Sequence, residues 1–218
     1  MERLITVRST GNVSVKPDLI TININLVSHR YDYDETMNLA SKSVEILGKH
    51  LEEVGIHRKE LKTTSFNIKT SYDDYYDEDN HYKTEFDGYE CNQDLKLEFD
   101  LDMEKLLKVL GAIASSGVNP KFNIRFSVKD KNAVNDEILI SATENARRKA
   151  EILAKASNEE LGEIVRIDYN FDEIEVYSNT KYEIQEKVCD MDALNMPAME
   201  PDDIKVSDTV TFVWRIKR

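Results

Sequence analysis

The sequence predicts an α+β fold with a mainly antiparallel sheet and three helices, in the order β-β-α-β-β-α-β-α-β-β. Strand-like segments come in consecutive pairs, which favours antiparallel hairpins over parallel βαβ units. Apolar residues recur at three- and four-residue steps in three segments, as in amphipathic helices. No apolar run approaches the ~18 residues of a membrane-spanning helix. The length of 218 residues suffices for one large domain or two small ones.

The first two strands are predicted from alternating apolar and polar residues. Leu4–Arg8 alternates briefly, and Leu19–Val27 alternates over a longer run. In the second strand, one face is formed by Ile20, Ile22, Ile24 and Leu26. Pro17 suits a strand start or edge because it donates no backbone hydrogen bond. We expect the two strands to pair with each other around the connection Gly11–Asp18.

The first helix is predicted to begin at Asp34 as its N-cap and to end before Gly55. Its apolar stripe is Met37, Ala40, Val44, Leu47, Leu51 and Val54. Two strands follow, Thr63–Tyr72 and Tyr89–Leu101. In the first of these strands, Phe66 and Ile68 are expected to face the interior. The residues between the two strands form an acidic hairpin loop, 73–87.

Asp102 is predicted to cap a second helix, which ends at Gly117, and a strand follows at Phe122–Val128. The third helix is predicted from about Asn132 to Ser157. Residues at four-residue steps along it are Ile138, Ala142, Ala146, Ala150 and Ala154. Because alanine is small, this stripe allows a neighbouring backbone to approach the helix closely.

The last third of the chain is predicted to contain strands at Ile164–Tyr169, Ile174–Tyr177 and Lys205–Ile216. An irregular acidic segment, 178–204, precedes the last strand. Connections of this length without secondary structure are either functional or mobile.

The negative charge is concentrated in two segments. Residues 73–87 contain seven acidic residues and one lysine, and residues 172–205 contain ten acidic residues and three lysines. Together they account for the whole net charge of −13. Such a chain repels nucleic acids and anionic membranes, so we expect neither binding to nucleic acid nor insertion into a membrane.

The acidic hairpin loop contains the only candidate metal ligands, and they are weak ones. These are Asp73, Asp74, Asp77, Glu78 and Asp79. Carboxylates are hard oxygen ligands that suit Ca²⁺. An EF-hand, however, needs alternating ligands and a central glycine, whereas these acids are mostly adjacent and their side chains point apart. A solvated hairpin tip is the favoured interpretation, and a cation site is the alternative.

Tyrosines are concentrated around the same loop, where five of the ten in the chain lie between positions 72 and 89. We predict them as interaction residues because tyrosine is enriched in protein interfaces. They are Tyr72, Tyr75, Tyr76, Tyr82 and Tyr89.

No catalytic motif is present. The chain lacks a phosphate-binding P-loop, a dinucleotide fingerprint and a nucleophilic serine elbow, and its four histidines form no pair with metal-ligand spacing. We therefore predict no enzymatic activity and no cofactor. Cys91 and Cys189 are predicted to be free thiols in a reducing compartment. Residues 1–8 show neither the apolar segment nor the cleavage site of a signal peptide, which predicts a cytoplasmic location.

The ordered set of short motifs resembles the SIMPL-domain family along nearly the whole chain. The matching positions are Gly11, Val13, Val15, Pro17, Asp18, Gly55, Ile56, Thr63, Gly88, Tyr89, Ser116, Gly117, Val118, Phe126, the alanine stripe, Leu161, Gly162, Ile204, Val206, Val210 and Phe212. The chain departs from many relatives at Pro201–Asp203, where they have proline-glycine, and residues 1–8 predict no signal sequence of the kind that the envelope members carry.

The resemblance implies a single α+β domain over residues 1–218 and, in some relatives, large homo-oligomeric rings. Several relatives are envelope proteins linked to oxidative-stress defence, and the founding eukaryotic member is an adaptor in kinase signalling. The family supplies no catalytic residues. We therefore expect a non-enzymatic homo-oligomer, a stress-linked scaffold or adaptor with a possible protein partner. The alternative is a small-molecule or divalent-cation binding module that uses the acidic loop.

Overall fold

A computed structural model describes residues 3–76, 78–169, 174–180, 182–184 and 200–217. It confirms the α+β class and the antiparallel pairing. The elements are β1 (Leu4–Val15), β2 (Leu19–Arg30), α1 (Tyr33–Glu53), β3 (Lys62–Tyr76), β4 (Tyr82–Asp100), α2 (Met103–Ser115), β5 (Lys121–Ser127), α3 (Lys131–Ala156), β6 (Glu160–Asp168), β7 (Tyr182–Ile184) and β8 (Ile204–Lys217). No helix among these is long and apolar enough to cross a membrane.

The chain divides into two compact units. Unit 1 combines residues 1–18, 127–179 and 201–218, and unit 2 combines residues 19–126 and 180–200. Unit 1 contains a three-stranded sheet in the order β1-β8-β6, with α3 packed against it. Unit 2 contains a five-stranded sheet in the order β3-β4-β2-β5-β7, together with α1 and α2.

The expected pairing of the first two strands with each other is wrong. β1 continues through the predicted connection as far as Val15, and it pairs with β8 along its whole length, from Leu4 opposite Arg215 to Val15 opposite Ile204. β2 instead pairs with β4. Only three residues separate β1 from β2, and Pro17 among them lacks the N–H that a continued strand would use.

The core of unit 1 is built on the alanine stripe of α3. Ala142, Ala146 and Ala150 are fully buried against a cluster that contains Val7, Val210, Phe212 and Trp214. At Gly11 of β1 the approach is so close that an added Cβ would lie 2.1 Å from the carbonyl oxygen of Ile138. The close approach predicted from the alanines is therefore confirmed, with helix backbone resting directly on strand backbone.

The core of unit 2 is built from large side chains. The predicted apolar face of β2 is confirmed, since its four residues are at most 3% exposed. Fully or almost fully buried members of this core include Ile20, Ile22, Ile24, Leu47, Leu51, Leu95, Leu97, Leu106, Ile113, Ile124 and Phe126.

Three local predictions need correction. Asp32, rather than Asp34, caps α1, because its Oδ1 accepts a hydrogen bond from the backbone N–H of Glu35. Phe66 is 49% exposed rather than interior, because it lies on β3, the edge strand of its sheet. The predicted strand at 174–177 is reduced to a single bridge between Tyr177 and Ser127.

Most of the irregular segment 178–204 lies outside the described residues, apart from 178–180, β7 and 200–204.

Candidate functional site

The predicted interaction residues lie on a hairpin that is longer than expected. β3 extends to Tyr76 and β4 begins at Tyr82, so most of the acidic hairpin loop is a regular ladder. Its rungs pair Tyr72 with Phe86, Asp73 with Glu85, Asp74 with Thr84, Tyr75 with Lys83 and Tyr76 with Tyr82. Tyrosine, phenylalanine and threonine favour strands, and here they carry the pairing through an acidic stretch.

One face of this hairpin is aromatic. Side chains alternate between the two faces of a strand, so Tyr72, Tyr76, Tyr82 and Phe86 share one face, which we call the aromatic face. The rings of Tyr72 and Phe86 meet edge to face at 5.9 Å, and those of Tyr76 and Tyr82 meet edge to face at 5.6 Å.

Asp74 lies on the aromatic face between these two ring pairs. Its Oδ1 accepts a hydrogen bond of 2.6 Å from the hydroxyl of Thr84. This bond, followed by one from the hydroxyl of Tyr82, lowers the pKa of the Asp74 carboxyl. The face therefore combines four rings with one carboxylate that stays ionised at neutral pH.

The opposite face of the hairpin separates Tyr75 from the other predicted tyrosines. Tyr75 lies opposite Lys83, and its hydroxyl donates a hydrogen bond of 3.4 Å to Glu85. Asp73 lies on this face as well, directly across from Glu85. Two carboxylates thus face each other here beside one ring.

A β-bulge at the base of the hairpin joins the aromatic face to three further tyrosines, Tyr31, Tyr33 and Tyr89. Ser71 pairs with Gly88, and Tyr72 pairs with Phe86, which leaves Asp87 as the extra residue. Gly88 has φ +113°, and an added Cβ would lie 2.3 Å from the carbonyl oxygen of Arg30. Only glycine fits this crossing of two backbones.

The bulge brings Phe86 next to Tyr89, with ring centroids 5.5 Å apart. Phe86 also contacts Tyr31 at 5.3 Å, and Tyr89 contacts Tyr33 at 5.4 Å. Sequence reasoning missed Tyr31, Tyr33 and Phe86 as site residues. For Tyr31 and Tyr33 the sequence did hold a signal, the Tyr-x-Tyr spacing directly after β2. Arg30, the last residue of β2, pairs with Tyr89 and so brings this spacing to the site.

Four tyrosine rings at this site are strongly exposed, whereas Phe86 and Tyr89 are half-buried. The exposed fraction is 71% for Tyr31, 57% for Tyr72, 66% for Tyr76 and 60% for Tyr82. A contiguous group of exposed aromatic side chains, unlike a single one, is typical of a protein interaction site.

The described candidate metal ligands are not placed to bind one cation together. Asp73 and Asp74 point to opposite faces of the hairpin, Glu78 and Asp79 lie in its turn, and Asp77 lies outside the described residues. Within the part of the chain that the structure describes, no three histidine, cysteine or acidic side chains are placed to hold a metal ion.

Comparison with known proteins places the whole architecture in one family. The model of the SIMPL family, described as a protein of unknown function (DUF541), matches residues 5–214, which include elements of both units. The chain belongs to the SIMPL family. It is also similar to the 26 kDa periplasmic immunogenic proteins of Brucella melitensis biotype 1 and of Brucella abortus strain S19, with 24% identity to each over 163 residues. Each match covers 75% of this chain and 65% of the relative, which is slightly less than two thirds of the relative's length.

The one cysteine that the structure describes in this SIMPL-family chain, Cys91, is buried away from solvent. Cys91 lies on β4 opposite Ser28 and is fully buried, and burial raises the pKa of its thiol. Because the thiolate is the reactive form, the Cys91 thiol is poorly suited to sensing oxidants in the folded protein. Cys189 lies outside the described residues.

Proposed function

We propose that this SIMPL-family chain is a non-enzymatic, self-assembling protein that acts as a scaffold or adaptor through its exposed surfaces. The observation that carries the adaptor role is the aromatic face together with Tyr31 and Tyr33. Edge-to-face contacts hold these rings in place before a partner arrives, which reduces the entropy lost on binding. The link to stress defence rests on the family resemblance alone.

The charge around the rings favours a basic protein partner. Asp74 lies within the aromatic face, and Asp73 and Glu85 lie on the other side of the same hairpin. Lysine and arginine are attracted both to these carboxylates and to the faces of tyrosine rings. A segment rich in lysine or arginine therefore matches both features of the surface.

The alternative role, binding of a divalent cation, has weaker support. Asp73 and Asp74 point in opposite directions, and the Asp74 carboxylate already accepts hydrogen bonds from two neighbours. Calorimetric titration with Ca²⁺, Mg²⁺ and Mn²⁺ tests this role. Heat of binding that disappears in an Asp74→Asn variant would favour it over the adaptor role.

Self-assembly is tested by the mass in solution, measured by light scattering coupled to size exclusion at low and high salt. We expect a discrete multiple of 25.2 kDa. A monomer at high protein concentration would contradict self-assembly.

The adaptor role is tested by binding of poly-lysine, with Tyr76→Ser compared with Tyr75→Ser. Both tyrosines are exposed, and they are neighbours on opposite faces of one hairpin. We expect Tyr76→Ser to weaken binding about two- to fivefold, the range of an exposed cation–π contact, and Tyr75→Ser to have a smaller effect. Equal effects of the two substitutions would contradict a role for the aromatic face.

For cellular location, the names of the two relatives support the periplasm, in place of the cytoplasm that residues 1–8 predict. Fractionation of the source cells, followed by detection of the native protein, distinguishes the two locations.

A further inference from the structure

The sheet of unit 2 ends in a long exposed strand, β3. Among the described strands only β4 pairs with β3, so the other side of β3 has no strand partner in that part of the chain. All residues of β3 except Ile68 and Ser71 are exposed. The strand also contains no proline, one of the devices that keep edge strands from pairing with other chains. This edge is therefore open to pairing with a further strand.

The regular part of this edge runs from Ser65 to Tyr76. One irregularity leaves Thr64 as an extra residue on β3, so the edge is regular only beyond it. The other irregularity places its extra residue, Asp87, on β4, so β3 keeps its alternation of faces through this point. A further chain thus meets a continuous stretch, 65–76, that lies wholly within the strand.

Symmetry limits how two copies of β3 can pair with each other. Two identical antiparallel strands are related by a twofold axis perpendicular to the sheet, so a residue and its counterpart in the other copy lie on the same face. Residues opposite each other also share a face, and faces alternate along a strand. A residue can therefore lie opposite only those positions that are an even number of residues away, and one residue lies opposite itself at the axis.

Charge then selects one register. The regular edge contains a single basic residue, Lys69, and two acidic residues, Asp73 and Asp74. Asp74 lies on the other face of the strand from Lys69, whereas Asp73 shares the face of Lys69. Lys69 lies opposite Asp73 of the other strand only when Ser71 is at the axis. Centring the pair on Lys69, Asp73 or Asp74 would instead place like charges opposite each other, which is destabilising.

We propose that β3 pairs antiparallel with β3 of a second copy of this chain, with Ser71 at the twofold axis. The contact spans residues 66–76 of each copy and needs no residue outside β3. Main-chain hydrogen bonds supply affinity, and two Lys69–Asp73 pairs set the register. The proposal rests on the proposed self-assembly and specifies one surface for it.

The surroundings of the two charged residues favour this contact. The Nζ of Lys69 lies 3.1 Å from Oε1 of Glu90 on β4, and the side chain is 58% exposed, so its ammonium group has donors left for a second carboxylate. Asp73 is exposed and lies directly opposite Glu85 on β4, which places two carboxylates side by side. Lys69 of the second copy approaches Asp73 from the open side of β3 and offsets this repulsion.

The same register extends the aromatic face from one copy to the next. Phe66 lies on the face of β3 that carries Tyr76, because an even number of residues separates the two. In the paired strands Phe66 lies opposite Tyr76 of the second copy, so a ring that is 49% exposed in one copy packs against a ring of the other. The least favourable pair is Ile68 with Asp74, whose carboxylate accepts a hydrogen bond from Thr84 of its own hairpin.

Charge reversal tests the contact. Lys69→Glu and Asp73→Lys each place like charges opposite each other in a homodimer, so we expect each variant to have half the mass of the wild type in light scattering. An equimolar mixture of the two variants restores two pairs of opposite charges, and so does the double variant Lys69→Glu/Asp73→Lys. We expect both to recover the wild-type mass.

Lys49→Glu on α1 is the matched control. It makes the same charge change as Lys69→Glu and, like it, breaks an exposed lysine–glutamate ion pair of unit 2, here with Glu45. We expect this variant to keep the wild-type mass, because Lys49 does not lie on the β3 edge. Both reversed residues of β3 are exposed, so the fold is retained, and thermal unfolding followed by far-UV circular dichroism verifies this for each variant.

A disulfide tests the register independently. In the proposed contact Ser71 lies opposite itself, with about 4.5–5.5 Å between the two Cα atoms, which is within the range of a disulfide. We therefore expect Ser71→Cys to form a covalent dimer on mild oxidation. Ser65→Cys, on the same face of β3, is the control, because its two copies lie about 40 Å apart in this register. Both variants carry Cys189→Ser, which leaves the buried Cys91 as the only other thiol.

The outcomes that would overturn the proposal can be told apart. A monomeric wild type overturns both this surface and the proposed self-assembly. An assembled wild type whose single charge variants keep their mass overturns this surface alone. Single variants that lose mass but do not recover it when mixed overturn the register, and so does a Ser71→Cys variant that cross-links no more than Ser65→Cys.

Discussion

The two units of this chain build their cores in opposite ways. Unit 2 fills its interior with isoleucine, leucine and phenylalanine side chains that come from several strands and two helices. Unit 1 brings the backbone of α3 onto β1 through alanines and Gly11, so little side-chain volume separates the two elements. It follows that the stability of unit 2 is sensitive to a loss of side-chain volume in its core, whereas the stability of unit 1 is sensitive to a gain of volume between α3 and β1.

The largest expected effect on the free energy of unfolding comes from removing side-chain volume from the core of unit 2. Phe126 is fully buried, so Phe126→Ala leaves a cavity and lowers the free energy of unfolding by about 3–5 kcal/mol. Denaturant unfolding followed by far-UV circular dichroism measures it. Phe66→Ala is the control, because this half-exposed ring on β3 contributes much less. Equal losses for the two variants would contradict the assignment of Phe126 to the core.

The next largest effect on stability comes from adding side-chain volume between α3 and β1 in unit 1. Gly11→Ala forces a methyl group against the backbone of α3, and we expect a loss of about 1–3 kcal/mol. Trp214 is the only tryptophan of the chain and lies in the core of unit 1, so its fluorescence follows this change.

The same substitution at an open position sharpens the comparison. At Gly48 in α1 an added Cβ meets no atom within 4 Å, so Gly48→Ala stabilises the helix by about 0.5–1 kcal/mol. A loss of stability at Gly48 that matches the loss at Gly11 would show that close packing is not the cause.

The smallest expected effect concerns charge on the β3–β4 ladder of unit 2. Glu90 accepts hydrogen bonds first from Asn92 and then from Lys69, and these lower the pKa of its carboxyl. Because the folded pKa lies below the unfolded one, the stabilisation is complete above the unfolded pKa and is lost as pH falls through the folded pKa.

Glu90→Gln is therefore expected to cost less than about 1 kcal/mol at neutral pH and nothing in strong acid. Thermal unfolding at several pH values measures it, with Glu144→Gln on the exposed surface of α3 as control. A cost that does not vary with pH would assign the effect to packing.

Local sequence patterns predicted most helices and strands, but they did not predict which strands pair when those strands are far apart in the sequence. The cap at Asp102, the apolar face of β2 and the alanine stripe depend on neighbouring residues, so one sequence reveals them. The pairing of β1 with β8 joins segments about 200 residues apart, and no local signal specifies it. At the site, acidic residues concealed the strand character of 73–76, and the bulge at Gly88 that brings in Tyr31 depends on tertiary packing.

The central position of β8 has a consequence for how the protein is made. β1 and β6 form no hydrogen-bonded ladder with each other, and each pairs with β8, which is synthesised after the other described strands. During translation, which proceeds from the N-terminus, β1 must remain unpaired until β8 has also left the ribosome. The polypeptide of unit 2 is available before then. Unit 2 is therefore expected to fold first, and the sheet of unit 1 closes only once β8 has been made.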